Sequence, residues 1–142
     1  MLTRIALAAA AALLFVSGAA LAEDPVKARK DGFDANKKAM GEIKALLDGS
    51  ALDPVAGVAQ RVGAFATRIP SLFPAGSDKG ETKAKPEIWA DFGDFSNKAK
   101  AFETAAKELE TAAAAGDKAA ARQSFAALGG TCKACHDRYR AN

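Results

Sequence analysis

The chain has 142 residues, of which 49% are hydrophobic and 26% are charged, and its formal net charge is +3. This length fits one domain, and the composition argues against a disordered or fibrous chain. The 19 basic and 17 acidic residues that follow residue 22 nearly balance, so the charge favours neither nucleic acid nor a membrane surface as a partner. Alanine accounts for 36 residues, which favours helix over sheet.

The first 22 residues have the pattern of a secretory signal peptide. Arg4 supplies one positive charge, residues 5–16 form an uninterrupted apolar run, and Ala20-Leu21-Ala22 satisfies the small-x-small rule for signal peptidase. The alternative is a membrane anchor, but this run is too short to span ~30 Å of hydrocarbon, and no later stretch is apolar enough to do so. We expect cleavage after Ala22 and export of residues 23–142, to the periplasm if the host is a Gram-negative bacterium.

Residues 24–70 carry two predicted helices. Asp24-Pro25 is typical of a helix start and Gly49 of a helix end, while Asp53-Pro54 and Pro70 bracket the second helix. Apolar residues recur at three-, four- and seven-residue steps, as on one face of a helix. In the first helix these residues are Val26, Phe33, Met40, Ile43 and Leu47, and in the second they are Val55, Val58, Val62, Phe65 and Ile69.

Residues 70–85 have no apolar period and predict a long loop. A third helix is predicted to begin at Pro86, and Gly116-Asp117 ends it and begins a fourth. The third helix carries the heptads Ile88, Phe95, Phe102, Leu109 and Phe92, Ala99, Ala106, Ala113, and the fourth aligns Ala121, Phe125, Leu128, Cys132, Cys135 and Tyr139. No segment alternates with a period of two, which argues against strands. Four helices joined by two tight connections and one long one predict that residues 23–142 form an all-α domain, an antiparallel four-helix bundle.

Cys132-Lys133-Ala134-Cys135-His136 is a C-x-x-C-H motif, the signature of covalent c-type haem attachment. On a helix, two thiols three residues apart face the same way and can reach both vinyl groups of one porphyrin, and the next residue places an imidazole under the iron. A zinc site needs four ligands, more than two cysteines and one histidine supply. A thioredoxin-like pair expects a βαβ context, and a disulfide within a helix would constrain little. The motif therefore favours one covalent haem c per chain.

The scarcity of other ligands limits how the iron is coordinated. His136 is the only histidine, which excludes two histidine ligands from one chain, and Met40 is the only methionine left after cleavage. Met40 is either a sixth ligand or a core residue, and its apolar stripe favours the core. Arg29 lies on or beside that stripe, so its guanidinium either meets a buried anion such as a haem propionate or reaches solvent. Arg140, one turn after His136, either approaches the proximal face of the haem or is a solvated charge that suits the helix dipole.

These features together resemble the cytochrome c′ family. The resemblance rests on C-K-A-C-H-D-R-Y-R at residues 132–140, the alanine-rich helical pattern, Leu72-Phe73-Pro74-Ala75-Gly76 in the loop and Pro86-Glu87-Ile88-Trp89 at the start of the third helix. It covers nearly all of the chain after residue 22. Cytochrome c′ is itself a standard example of the up-down-up-down bundle, so the resemblance implies the same fold.

The resemblance also implies roles for individual residues. Cys132 and Cys135 would bind haem through thioether bonds, with His136 as the fifth iron ligand. Arg29 would contact a propionate, and Phe33 would block the sixth position, where low-spin members of the fold have a methionine. Since Met40 lies two turns beyond that position, the resemblance also favours the core for Met40. Further expected haem contacts are Glu81, Thr82 and Lys85 at the haem edge and Arg140 beyond the proximal ligand. Members are commonly homodimers.

The resemblance implies a high-spin, five-coordinate haem protein that binds nitric oxide or carbon monoxide or passes single electrons, with redox proteins as possible partners. A distal face lined by Phe33 offers no hydrogen-bond donor, which disfavours bound dioxygen and tolerates nitric oxide. The alternative is a low-spin electron carrier with Met40 as sixth ligand. A peroxidase-like enzyme would need a distal acid–base group, and the chain's one histidine is already assigned to the iron. We therefore do not expect an enzyme.

Overall fold

The computed structural model describes residues 24–49 and 51–142, so the predicted signal peptide lies outside the described residues. Five helices follow one another: α1 (Pro25–Asp48), α2 (Asp53–Arg68), the short α3 (Glu87–Ala90), α4 (Phe92–Ala114) and α5 (Lys118–Tyr139). One turn of 3₁₀ helix, Pro70–Leu72, follows α2. None of the described helices is long and apolar enough to cross a membrane.

The helix boundaries confirm the signals that the sequence carries. The Asp24 carboxylate accepts the Val26 N–H at 2.9 Å, with Pro25 in the first turn of α1. The Asp117 carboxylate accepts the Ala120 N–H at 2.9 Å and starts α5. Just before it, Gly116 has a φ of +72°, a conformation that costs glycine little and lets the chain reverse between two helices.

The predicted third helix is interrupted, which corrects the single helix expected from Pro86 onward. Asp91 has non-helical backbone angles, φ −134° and ψ 61°, and its carboxylate accepts the Asp94 N–H at 3.2 Å. Asp91 therefore caps the N-terminus of α4 and separates it from α3. Phe92, expected to face the core, is 39% exposed because it now begins a new helix.

The four long helices form the antiparallel up-down-up-down bundle that the sequence predicts. α4 packs against both α2 and α5, and α1 packs mainly on α2. Small residues allow close approach at these interfaces, since a Cβ on Gly63 would lie 3.6 Å from the Cβ of Ala106. The largest fully buried side chains are Ile43, Val55, Val58, Val62, Ile88, Leu109 and Leu128.

The apolar stripes of α1 and α5 are incompletely buried where the two helices face each other. Ile43 and Leu47 at the end of α1 are fully packed, whereas Phe33 and Met40 are only half-buried. On α5, the side chains of Phe125, Cys132 and Cys135 are likewise half-buried against the core. These half-buried side chains leave apolar surface that a group not supplied by the protein could cover.

Residues 70–85 form the predicted long loop, and its end runs beside the C-terminus. Ala84 and Arg140 form an isolated antiparallel bridge. The Lys85 N–H donates to the Tyr139 carbonyl at 3.0 Å and the Ala141 N–H to the Lys83 carbonyl at 2.8 Å. The loop therefore reaches the end of α5 that carries the cysteines and the histidine.

A polar cluster joins the end of α5 to the start of α4. The Tyr139 hydroxyl donates to the Asp94 carboxylate at 2.6 Å, and Arg138 pairs with Asp94 at 3.0 Å and with Asp91 at 2.8 Å. Burial, followed by this hydrogen bond, raises the pKa of Tyr139 to about 12. The Tyr139 bond, followed by the Arg138 and Lys98 charges, lowers the pKa of Asp94.

We expect Tyr139 to make the stability of the fold fall at high pH. Because its pKa is about 12 in the folded chain, above the ordinary value of 10.0, the folded state retains the proton. The stabilisation is complete below pH 10 and is lost as the pH rises through about 12. Urea unfolding at a series of pH values should show a steeper loss for the wild type than for Tyr139→Phe. Tyr139 is the only tyrosine, so a spectroscopic titration with its midpoint at the ordinary value would contradict this account.

Candidate haem-binding site

The C-x-x-C-H motif lies on the last two turns of α5. Cys132 and Cys135 are both free and half-buried, and the Cys132 thiol donates to the Leu128 carbonyl at 3.5 Å. Since residues three apart on a helix are neighbours on one face, both sulfurs lie on the same side of α5. The two thiols are not joined in a disulfide in this structure.

Both thiols are held in the protonated form. Burial raises the pKa of Cys132, and it raises the pKa of Cys135 to about 11. The thiols are therefore neutral near pH 7 and are not the low-pKa thiolates of redox enzymes. This state suits covalent attachment, in which the S–H group adds across a vinyl group to give a thioether.

His136 follows the second cysteine and is exposed at the surface of α5. Desolvation by the surrounding protein, and then the charge of Arg140, lowers the pKa of its imidazole. The imidazole is therefore neutral near pH 7, the form in which a ring nitrogen can bind a metal. Arg140 itself is exposed, yet it lies near enough to act on His136. Its contact with the proximal face of a haem stays a prediction.

The Phe33 ring on α1 faces the His136 ring on α5. The two ring centroids are 6.4 Å apart with the planes at 68°. Phe65 of α2 supports Phe33 from behind in an edge-to-face contact, with centroids 5.1 Å apart. Gly32 makes room for this support, because a Cβ there would lie 2.2 Å from the Phe65 ring. α1 and α2 thus hold the Phe33 ring opposite His136 on α5.

Arg29 is buried, with 3% of its surface exposed, which excludes the alternative in which it reaches solvent. Its guanidinium donates to the Ser77 carbonyl at 2.7 Å, to the Ser77 hydroxyl at 3.0 Å and to the Thr82 hydroxyl at 2.7 Å. A longer bond of 3.4 Å reaches the Leu72 carbonyl, and the guanidinium carbon lies 4.6 Å from the centre of the Phe73 ring. Burial lowers the pKa of Arg29, and none of the ion pairs in the described residues includes it.

The remaining expected haem-edge residues are distributed along the loop. Thr82 is half-buried and bonded to Arg29, while Glu81 is exposed and pairs with Lys30 at 3.9 Å. Lys85 is half-buried, its N–H donates to the Tyr139 carbonyl, and its ammonium group lies 3.8 Å from Glu87. The structure thus brings Thr82 to Arg29 and Lys85 to the end of α5, and it leaves Glu81 on the surface.

Three residues of the site were not singled out from the sequence. Phe65 was assigned only to the core stripe of its helix, although it also supports Phe33. Gly32 could have been noticed in the sequence, because glycine is unfavourable inside a helix and its presence there often indicates close packing against a neighbour. Ser77 could not, since nothing in a run of loop residues marks the one that accepts bonds from a buried arginine.

The described residues fit a haem attached through α5. Half-buried apolar side chains on α1 and α5 leave apolar surface accessible, two neutral thiols lie on one side of α5, and a neutral imidazole follows them. Haem is a flat apolar macrocycle with an iron at its centre, so it would cover this surface while the thiols and the imidazole fix it. The fold and the site together define a c-type cytochrome of the four-helix-bundle class.

Comparison with known proteins specifies the family. Residues 24–140 match the family model described as Cytochrome C′. The chain is 37% identical to the cytochrome c′ of Rhodospirillum rubrum over 145 residues, which covers 98% of this chain and 99% of the relative. This chain belongs to the cytochrome c′ family.

Solved structures of the family have the same fold. One is a nitric oxide complex of a mutant cytochrome c prime from Alcaligenes xylosoxidans, with a TM-score of 0.76, 31% identity, and coverage of 84% of this chain and 95% of that one. Another is a cytochrome c′ with ligand-controlled dimer dissociation, with a TM-score of 0.78, 33% identity and the same coverage. The family carries haem c, bound here covalently through Cys132 and Cys135.

We expect each cysteine to contribute one covalent bond to the haem. Wild-type protein should keep its haem on extraction with acidified acetone, and Cys132→Ala and Cys135→Ala should each keep it through one remaining thioether or lose it. The double variant should release all of it. The melting temperature should fall in the same order, because the haem macrocycle would cover the half-buried apolar side chains of α1 and α5. Ser124→Ala, on the same helix before the motif, is the control, and haem that leaves wild type and double variant equally easily would contradict covalent attachment.

Proposed function

We propose that this chain is an exported cytochrome c′ with a five-coordinate, high-spin haem, which binds nitric oxide or carbon monoxide or passes single electrons. The observation that carries the proposal is the Phe33 ring, 6.4 Å from the His136 imidazole. An apolar ring opposite the proximal ligand occupies the space that a sixth protein ligand would need. Haem c supplies the iron that binds diatomic gases and exchanges electrons.

His136 is the proximal ligand in this proposal. It is the only histidine in the chain, it directly follows Cys135, and its lowered pKa keeps the imidazole neutral. Arg140 directly follows the last residue of α5, and its charge lowers that pKa further. It therefore disfavours protonation of His136, and with it loss of the ligand.

Phe33 and Phe65 together select among diatomic ligands. Both rings are apolar, and they hold each other edge to face, so neither offers a hydrogen bond to a bound gas. Dioxygen gains stability from a distal donor, whereas nitric oxide and carbon monoxide need none. The nitric oxide complex of the Alcaligenes xylosoxidans relative supports this ligand class.

The alternative is a low-spin electron carrier with Met40 as the sixth ligand. Met40 is half-buried and packs against the core on the same helix as Phe33. It lies seven residues further along α1, a distance of about 10.5 Å at 1.5 Å per residue. For Met40 to reach an iron that faces Phe33, α1 would have to move by nearly two turns.

An enzymatic role of the peroxidase type is not part of the proposal. Such a reaction needs a distal acid–base group, and the rings that face His136 and support Phe33 carry no titratable group. A role in binding gases or transferring electrons needs only the open apolar face.

Location and assembly complete the proposal. The apolar run and the Ala20-Leu21-Ala22 sequence support cleavage after Ala22 and a periplasmic protein formed by residues 23–142. The dimer of the ligand-controlled relative supports a homodimer here. Redox proteins are expected as transient partners, and nucleic acid is not.

Two substitutions on α1 separate five-coordinate from low-spin haem. Phe33 must move aside to admit a ligand, which breaks its contact with Phe65, and such aromatic contacts are worth about 0.5–1.5 kcal/mol. Phe33→Ala should therefore speed carbon monoxide association up to about tenfold, since 1.36 kcal/mol is tenfold in rate. Met40→Leu should leave the optical spectrum unchanged and cost less than about 1.5 kcal/mol of stability.

Stopped-flow mixing with carbon monoxide measures the first effect and absorption spectroscopy the second. Phe92→Ala is the matched control, because Phe92 is exposed on α4 and should change neither. If Met40→Leu abolishes a low-spin spectrum and a sulfur-to-iron charge-transfer band, Met40 is the ligand and the proposal fails.

A further inference from the structure

A segment of the long loop connects α1, which carries Phe33, to the end of α5, which carries His136. We call residues 77–85 the strap. One end of the strap is bonded to Arg29 on α1, and the other is bonded to backbone groups just after the C-x-x-C-H motif. Among the described helices, none is hydrogen-bonded both to Arg29 and to the backbone just after the motif.

The α1 end of the strap is fixed by a buried cation. Both terminal nitrogens of Arg29 bond to strap oxygens, to Ser77 at 2.7 and 3.0 Å and to Thr82 at 2.7 Å. The Thr82 hydroxyl oxygen also accepts the Ala84 N–H at 3.1 Å, so it links the arginine to the backbone of the strap. Because no carboxylate is hydrogen-bonded to it, the buried guanidinium depends on its neutral acceptors, and losing one would leave an N–H of a cation unpaired.

The other end of the strap is fixed to the last residues of the chain. The Lys85 N–H donates to the Tyr139 carbonyl at 3.0 Å, and the Ala141 N–H donates to the Lys83 carbonyl at 2.8 Å. Between these bonds, Ala84 pairs with Arg140, whose own N–H donates to the His136 carbonyl at 3.0 Å. Thr82 is thus linked to the backbone of His136 through Ala84 and Arg140.

Direct polar contacts between α1 and α5 occur only at the opposite end of the bundle among the described residues. There Arg122 donates to the Leu47 carbonyl at 3.0 Å, and Lys118 donates to the Gly49 carbonyl after α1 ends. At the end that carries Phe33 and His136, the strap is the polar connection between the two helices.

We propose that Arg29 and Thr82 are positioning residues that set the place of His136 relative to Phe33 through the strap. This role is separate from any contact between Arg29 and a haem propionate, because it uses bonds within the chain. It rests on the proposed function only in that His136 is taken as the proximal ligand. The bonds of the strap themselves can be measured whatever the iron binds.

Thr82→Val tests the proposal with little change in side-chain volume. Valine removes the oxygen that accepts both the Arg29 and the Ala84 N–H groups. Hydrogen exchange of the Lys85 and Ala141 amides in the haem-containing protein reports on the strap, and the iron–histidine stretching frequency of the ferrous protein reports on His136. We expect both amides to exchange about tenfold faster, which corresponds to about 1.4 kcal/mol, and the frequency to shift.

Thr67→Val is the matched control, because the Thr67 hydroxyl is exposed and donates to the Ala64 carbonyl within α2. It should change neither measurement. Ser77→Ala, which removes a second acceptor of Arg29, should shift both measurements in the same direction as Thr82→Val, so the test does not depend on one variant folding.

Exchange at Lys85 and Ala141 that stays at the wild-type rate in both strap variants would overturn the proposal. Faster exchange with an unchanged iron–histidine frequency would overturn the connection to His136. A low-spin wild-type spectrum would instead overturn the proposed function, and the exchange rates would still decide whether Arg29 and Thr82 hold the strap.

Discussion

The limited packing between α1 and α5 is the constraint on which the rest of the site depends. Both helices present apolar stripes, yet Phe33 on one and Cys132 and Cys135 on the other stay half-buried. Two sets of polar contacts connect the helices: cations of α5 bond to the C-terminal end of α1, and the loop joins Arg29 to Tyr139. A haem between the helices would bury these half-exposed apolar side chains.

The abundant alanine residues allow close packing on one side of the bundle. Ala59, Ala66, Ala105 and Ala106 are buried where α2 and α4 approach, which packs that side of the bundle tightly. Large rings are concentrated elsewhere: Phe73 and Phe95 lie 4.8 Å apart near Tyr139, and Phe33 and Phe65 lie opposite His136. Small residues thus allow α2 and α4 to approach closely. Aromatic residues cluster at the end of the bundle that carries His136 and Tyr139. The polar groups at this end, above all Arg29, hold backbone in place.

The helices and their ends could be predicted because their signals are local. Asp24, Asp117 and Gly116 specify their turns through bonds and backbone angles within a few residues, and the apolar periods identify the buried faces. The break at Asp91 could not be read, because an aspartate in a helical stretch becomes a cap only when tertiary contacts such as those from Arg138 and Tyr139 favour it. For the same reason Arg29 could be placed near the core but its partners Ser77 and Thr82 could not, since they are 48 and 53 residues away. That Phe33 lies opposite His136 was implied only by the family resemblance. The spacing of residues within one helix says nothing about which side chains of two distant helices meet.

The coordination of the iron is the central claim, and electron paramagnetic resonance of the ferric wild-type protein at neutral pH tests it most directly. An iron held by His136 alone, with the apolar Phe33 ring opposite, has a weak ligand field and should give an axial high-spin signal that accounts for nearly all of the haem. A predominantly low-spin rhombic signal would show a strong sixth ligand and would contradict the account.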